Sequence, residues 1–357
     1  MNRKINFNAG PTSLPEEVLR EAADAVLEYN NTGVSILELP HREKEFLAIV
    51  EESKALVKEL CEIGDDYEVL WLHGGGRLQF CMIPMNFLGH TDAAGYIDTD
   101  HWAEVALEYA THFGEVQILA TSKQENYRRL PEFPTHIPHG LAYVHYTTNS
   151  TIAGTQWHHT PVCNVPLIAD MSSDIFCSKR DYSKYAMVYA AVQKNLGTPG
   201  VALVILRKDM FNHIKRELPP MLNYHEQAKE NSILNTANVF GIYLSLLMLR
   251  WTKQKGIDAI EKENRQKAKL LYDVIDGSSI FTPHVTTEAH RSLMNVCFTA
   301  NNPQHEKQFI DLCTQNNIIG IKGHRSVGGF RVSLYNSISA DAVKVLVGLM
   351  KEFEKGF

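Results

Sequence analysis

"YAAVQKNLGTPGVALVIL", residues 189–206, decides how the chain is read. Two apolar runs flank a polar loop that holds Gln193, Lys194, two glycines and a proline. The segment therefore reads as strand, turn and strand. Other runs of the same kind stand before it: "YEVLWLHGGG", "AAGYIDTD", "EVQILAT", "LAYVHYTT" and "PLIADMSS". Their apolar residues are continuous rather than alternating, the pattern of strands covered on both faces. Between and before them, "PEEVLREAADAVLEY" and "EKEFLAIVEESKALVKEL" carry apolar residues at helical spacing. This alternation predicts an α/β fold with a doubly wound, mostly parallel sheet.

The texture changes after "YLSLLMLRWTKQKG". A long charged helix, "IDAIEKENRQKAKLLYDVI", leads to "LMNVCFTA", "HEKQFIDLCTQN", "IIGIKGH", "FRVSLYN" and a last helix, which reads as a smaller α+β unit. The expected division is a large domain over 15–255 and a small one made of 1–14 and 256–357.

With 357 residues, 44% hydrophobic and 21% charged, the chain can bury a large core. A net charge of −6 gives no broad basic surface, which argues against nucleic acid and anionic lipid as partners. Six scattered cysteines without a C-x-x-C pair argue against a zinc site and a disulfide framework, so no metal is expected. The N-terminus lacks an apolar signal core, and "VFGIYLSLLMLRW" is short for a bilayer, so a cytoplasmic protein is expected.

In open α/β sheets ligands bind beyond the carboxyl ends of the strands. "WLHGGGRLQF" ends a strand in three glycines and opens a helix, a place where backbone N–H groups can hold a phosphate. "PLIAD" ends in Asp170, a carboxylate that needs compensation if buried. Lys194 follows "MVYAAVQ", where desolvation favours the neutral amine that forms Schiff bases. Singly these are a tight turn, a turn cap and a loop lysine. Together they are the three handles that pyridoxal 5′-phosphate requires.

At these residues the chain resembles the phosphoserine aminotransferase family, pyridoxal-phosphate enzymes of fold type I in the class V aminotransferase group. The resemblance runs through "NFNAGP", "SILELPHREKEF", "LHGGGRLQF", "HW", "TTNSTIAGTQ", "ADMSSDIF", "AAVQKNLGTPG", "MLNYH", "NT" and "IKGHRSVGGFRVSLYN". It implies Lys194 as the Schiff-base lysine and Asp170 as the partner of the pyridine nitrogen. It implies Trp102 as the residue stacked on the ring and Thr151 as the partner of the phenolic oxygen. The phosphate would rest on Gly76, Arg77 and Gln193, with Asn235 and Thr236 reaching in from the second subunit of a homodimer. Arg331 would hold the substrate α-carboxylate. His41, Arg42, Arg77, His324 and Arg325 would meet the distal anion.

The implied reaction is transamination between glutamate and 3-phosphohydroxypyruvate, giving phosphoserine and 2-oxoglutarate for serine biosynthesis. A parallel role toward phosphohydroxythreonine in a vitamin B6 route stays open, as does a class V relative acting on alanine, serine or glyoxylate, or a noncatalytic cofactor-binding homologue. Four places depart from the family's pattern: Leu78 after the glycines, Asp100 where a small residue is usual, "NLGTPG" after the lysine, and Ala237-Asn238 in place of two prolines. Loss of those prolines is expected to loosen the loop that carries Asn235 and Thr236.

Overall fold

The computed structural model describes residues 3–356. After a short first strand, β1 (Ile5–Asn6), seven strands build the main sheet: β2 (Tyr67–His73), β3 (Ala93–Asp98), β4 (Glu115–Thr121), β5 (Leu141–Thr147), β6 (Leu167–Asp170), β7 (Met187–Ala191) and β8 (Val201–Arg207). Their order is β2-β8-β7-β6-β5-β3-β4. Strands β3 to β7 run parallel to their neighbours, and only β8 is antiparallel, to β2 on one side and β7 on the other. The segment 189–206 is thus an antiparallel pair whose turn carries Lys194. Because β5, β6 and β7 are parallel, Thr147, Asp170 and Ala191 end on the same edge of the sheet.

Successive side chains of a strand face opposite ways, and here both faces are covered. On one, α1 (Glu16–Leu27), α2 (Lys44–Cys61) and a later helix spanning Val239–Lys255 pack over Val69, Trp71, Val144, Val188 and Leu203. On the other, α3 (Gly75–Phe87) and α4 (His101–Ala110) pack over Leu70, Leu72, Tyr143, Ile168 and Val204. Each such aliphatic side chain taken out of water contributes about 1.5–3 kcal/mol. Strand β4 differs from the fully covered strand expected from "EVQILAT". It is the last strand of the sheet, pairs with β3 alone and leaves Ile118 55% exposed.

A short α5 (Tyr224–Lys229) leads to α6 (Val239–Lys255), and Gly256, at φ 81°, separates it from α7 (Ile257–Asp276). The second core gathers α7, α8 (Pro303–Gln315) and α9 (Ala340–Glu354) against β9 (Phe281–Pro283), β10 (Asn295–Ala300), β11 (Ile318–Ile319) and β12 (Phe330–Ser333). Strands β12, β10 and β9 form an antiparallel sheet in that order. Strand β1 pairs in parallel with β11, and Phe7 beside it is buried in this core. Strands β1 and β9 were not legible, being two and three residues long.

Candidate active site

Beyond the carboxyl edge of β5, β6 and β7 lies a cavity of about 260 Å³, lined by residues of the main-sheet segments and by His324 and Arg331 from the C-terminal part of the chain. Lys194 enters from the β7–β8 turn, Asp170 from the end of β6, and Arg331 from β12. The Lys194 ammonium donates to Thr151 Oγ1 at 2.7 Å. Burial pushes its pKa below the ordinary 10.5; Asp170 and Asp100 pull it back up, and Arg331 adds to the lowering. Asp170 is held by the Ser172 N–H at 2.9 Å. Burial raises its pKa, and Lys194 together with Ser172 limits that rise without cancelling it. A carboxylate so placed favours a cationic N–H partner.

The glycine turn reads as its sequence suggests. Gly74, at φ 83°, lets the chain turn directly from β2 into α3. No side chain caps this helix, so its first N–H groups are left for an anion, and Gly76 and Arg77 line the cavity. A Cβ at Gly76 would stand 3.2 Å from that of Ala191, so glycine lets the helix start sit against β7. Leu78, unusual in the sequence, lies over Gly74, where an added Cβ would stand 2.6 Å from its Cδ2. Trp102, at the start of α4, presents its ring to the cavity, with the Arg77 guanidinium 5.3 Å from the ring centroid.

Three polar atoms of lining residues are buried without a partner: Gln193 Oε1, Thr147 Oγ1 and Arg331 Nε. Buried polar groups are ordinarily satisfied. Beside a free helix N-terminus, a desolvated lysine and a buried aspartate, the unpartnered donors Thr147 Oγ1 and Arg331 Nε fit pyridoxal phosphate and an anionic substrate.

His324 also lines the cavity. Its Nδ1 lies 2.7 Å from Ser326 Oγ and its ring stacks on His101, and burial together with Arg331, His101 and Arg325 lowers its pKa from the ordinary 6.5. The structure does not bring the remaining sequence candidates into this cavity. Arg325 and Arg42 are exposed, and His41 is half-buried with Nε2 unpartnered. Asn235 lies by His73 at the end of β2, Nδ2 to Nε2 3.3 Å, and Thr236 is exposed. The altered loop does not simply lose stiffness: Asn238 caps α6, its Oδ1 accepting the Gly241 N–H at 2.9 Å.

Sequence reasoning missed several lining residues: Ala9, Gly10, Thr147, Asn149, Ser172 and Ser173. The quoted segments "NFNAGP", "TTNST" and "ADMSS" contain all six; for Thr147, Asn149, Ser172 and Ser173 the signal was their place at or just past the ends of β5 and β6, whereas Ala9 and Gly10 follow β1, which carried no such signal.

The Aminotransferase class-V family profile matches residues 5–346. A phosphoserine aminotransferase of Flavobacterium psychrophilum is 45% identical over 354 residues, 99% of either chain. The solved phosphoserine aminotransferase from Bacillus circulans subsp. alkalophilus superposes with a TM-score of 0.97 at 40% identity, covering 100% of this chain and 99% of that one. A pyridoxal-phosphate-bound phosphoserine aminotransferase from Trichomonas vaginalis superposes with a TM-score of 0.93 at 33% identity, covering 98% and 100%.

Proposed function

Because this chain belongs to the phosphoserine aminotransferases of the class-V family, we propose that its cavity catalyses pyridoxal-phosphate-dependent transfer of an amino group from glutamate to 3-phosphohydroxypyruvate. The products are O-phosphoserine and 2-oxoglutarate, and the pathway served is serine biosynthesis. The observation that carries this reading is the convergence of Lys194, Asp170 and Arg331 on one cavity.

When bound, pyridoxal phosphate supplies an aldehyde that condenses with amines and a ring that withdraws electrons. Asp170 accepts the N–H of the ring nitrogen and keeps it protonated. Gly76, Arg77 and Gln193 hold the phosphate, Thr151 meets the phenolic oxygen, and Trp102 covers one face and excludes water. Arg331 orients the α-carboxylate of either amino acid through two parallel N–H donors. Lys194 Nζ, whose pKa burial lowers, would act as the free amine that takes the α-proton of the donor and delivers it within the same half-reaction, the two transfers running in reverse in the second half. Arg77 and His324 receive the distal anion within the chain.

Asn235, Thr236, His41, Arg42 and Arg325 complete the site across a homodimer interface; their position outside the cavity of their own chain supports this reading. Residues 15–255 act as the large domain and 1–14 with 256–357 as the small one, a division supported by the separate cores and the break at Gly256, with residues 1, 2 and 357 outside the described residues. Among the described residues no helix is long and apolar enough to cross a membrane. A cytoplasmic location is supported by six unpaired cysteines.

The test is amino transfer from glutamate to 3-phosphohydroxypyruvate, pyruvate and glyoxylate in parallel, with 2-oxoglutarate as readout. The phosphorylated acceptor should have the highest kcat/KM. A higher value with pyruvate or glyoxylate would overturn the substrate assignment while leaving transamination intact.

A further inference from the structure

Asp100 is a completely buried carboxylate outside the cavity lining. Each of its carboxylate's hydrogen bonds is with a donor. Its Oδ1 accepts the N–H groups of Trp102 at 2.9 Å and Ala103 at 3.0 Å, which caps α4; its Oδ2 accepts the Ser150 hydroxyl at 2.6 Å. A serine or asparagine would cap the helix as well, so capping does not account for the second oxygen. That oxygen reaches across to the turn after β5, where Ser150 Oγ in turn accepts the Ala153 N–H at 2.9 Å. Trp102 stands two residues after Asp100 and Thr151 one residue after Ser150. One carboxylate therefore joins the segment that presents the indole to the segment that presents the hydroxyl beside Lys194.

We propose that Asp100 is a positioning residue: its two oxygens clamp the start of α4 to the 150–153 turn and so fix Trp102 relative to Thr151. The consequence for the cofactor rests on the functional reading above; the clamp itself does not. Rigid support behind contacting side chains is what keeps such a site in productive geometry. The carboxylate has a second effect, on charge. Lys194 faces Asp170 and Asp174 near the end of β6, Arg331 on β12, and Asp100 before α4. Asp100 adds to the negative charge that Asp170 places near Lys194.

Three variants separate the roles. Asp100→Ser keeps a cap and loses the bridge, Ser150→Ala loses the bridge together with the Ala153 N–H contact, so that for it exchange over 100–106 decides, and Asp100→Asn keeps both a cap and, through its amide, a donor to Ser150 Oγ, while removing the charge. Amide hydrogen exchange of the cofactor-free protein is measured over 100–106 and 148–155. Asp100→Ser and Ser150→Ala should speed exchange about tenfold in both segments, the loss expected for one charged hydrogen bond. Asp100→Asn should stay close to the parent. In Asp100→Asn the pH midpoint for reductive methylation of Lys194 should fall, a shift that a purely structural role would not produce. Pyridoxal phosphate binding, followed by induced visible circular dichroism, should weaken about tenfold in the two bridge variants. Exchange that rises only in the mutated segment, or not at all, would overturn the clamp. A parent protein that binds no pyridoxal phosphate would instead overturn the functional reading, with the exchange data still deciding the clamp.

Discussion

Replacing Arg331 by lysine keeps the positive charge and removes the fork. Arg331 Nη1 is committed to the Thr151 carbonyl at 3.2 Å, whereas Nε is buried with no partner. The unpaired edge is therefore the one available to a substrate α-carboxylate. A guanidinium offers that edge as two parallel donors, and an ammonium offers a single point charge. Losing one charge-assisted hydrogen bond costs about 1.5–3 kcal/mol. The fall in kcat/KM should then be about 10- to 150-fold. Glutamate and phosphoserine carry the same α-carboxylate, so both half-reactions should suffer alike. Single-turnover rates with each donor, on cofactor-saturated Arg331→Lys whose melting temperature matches the parent, make the comparison. Losses below about threefold with both donors, or a loss confined to one of them, would refute the assignment of Arg331 to the shared group.

His324→Ala should reduce kcat/KM for phosphoserine by about tenfold more than for glutamate, since a phosphate dianion has more to lose than a carboxylate; equal losses would remove His324 from the distal site. Lys194→Ala should abolish transamination and leave a folded protein. It should also change how the stability of the cofactor-free protein depends on pH. Between the lowered folded pKa of Lys194 and the ordinary 10.5, the unfolded chain binds a proton that the folded chain does not, so stability rises with pH through that window. Below the window the whole penalty is present. The alanine variant should show a flatter slope there in melting temperature against pH, and an unchanged slope would contradict the burial argument. Arg180→Met should cost about 3–5 kcal/mol in urea unfolding, because it strands the buried Asp174 carboxylate that Arg180 Nη2 meets at 2.8 Å. Asn238→Ala should cost about 1 kcal/mol as a lost cap, whereas Asn238→Pro, at a native φ of −76°, should come out near neutral as lost capping and gained loop stiffness offset each other.

The sheet and the helices over it were legible because burial on both faces writes long apolar runs into the sequence, and the strand ends then pointed to Asp170, Gly76 and Lys194. Arg331 and His324 were reached only through the family resemblance. Nothing local distinguishes a cavity arginine such as Arg331 from an exposed one such as Arg325. Two buried charges had no role legible in the sequence for a related reason. Asp100 stood out only as a departure from the family's pattern, and Lys267 reads as one more charge on the long helix "IDAIEKENRQKAKLLYDVI". Yet Lys267 is fully buried, its ammonium donating to the carbonyls of Leu334, Tyr335 and Ile338 at 2.9, 3.0 and 2.9 Å. Three acceptors match the three N–H bonds of an ammonium. Those acceptors belong to backbone some seventy residues away, which no local pattern can announce.

The place of β2 in the main sheet has a consequence for biosynthesis. It lies at one edge, and among the described residues its only neighbour is β8, residue 67 facing residue 207. On a growing chain made at about 5–20 residues per second, β2 waits roughly 7–28 s for its partner to be made. During that time "YEVLWLH" is an apolar strand with both edges unpaired, the kind of segment that invites pairing with another nascent copy. The quoted strand–turn–strand unit ends that interval: once β7 and β8 emerge together around Lys194, β2 gains its partner and the cavity gains its lysine.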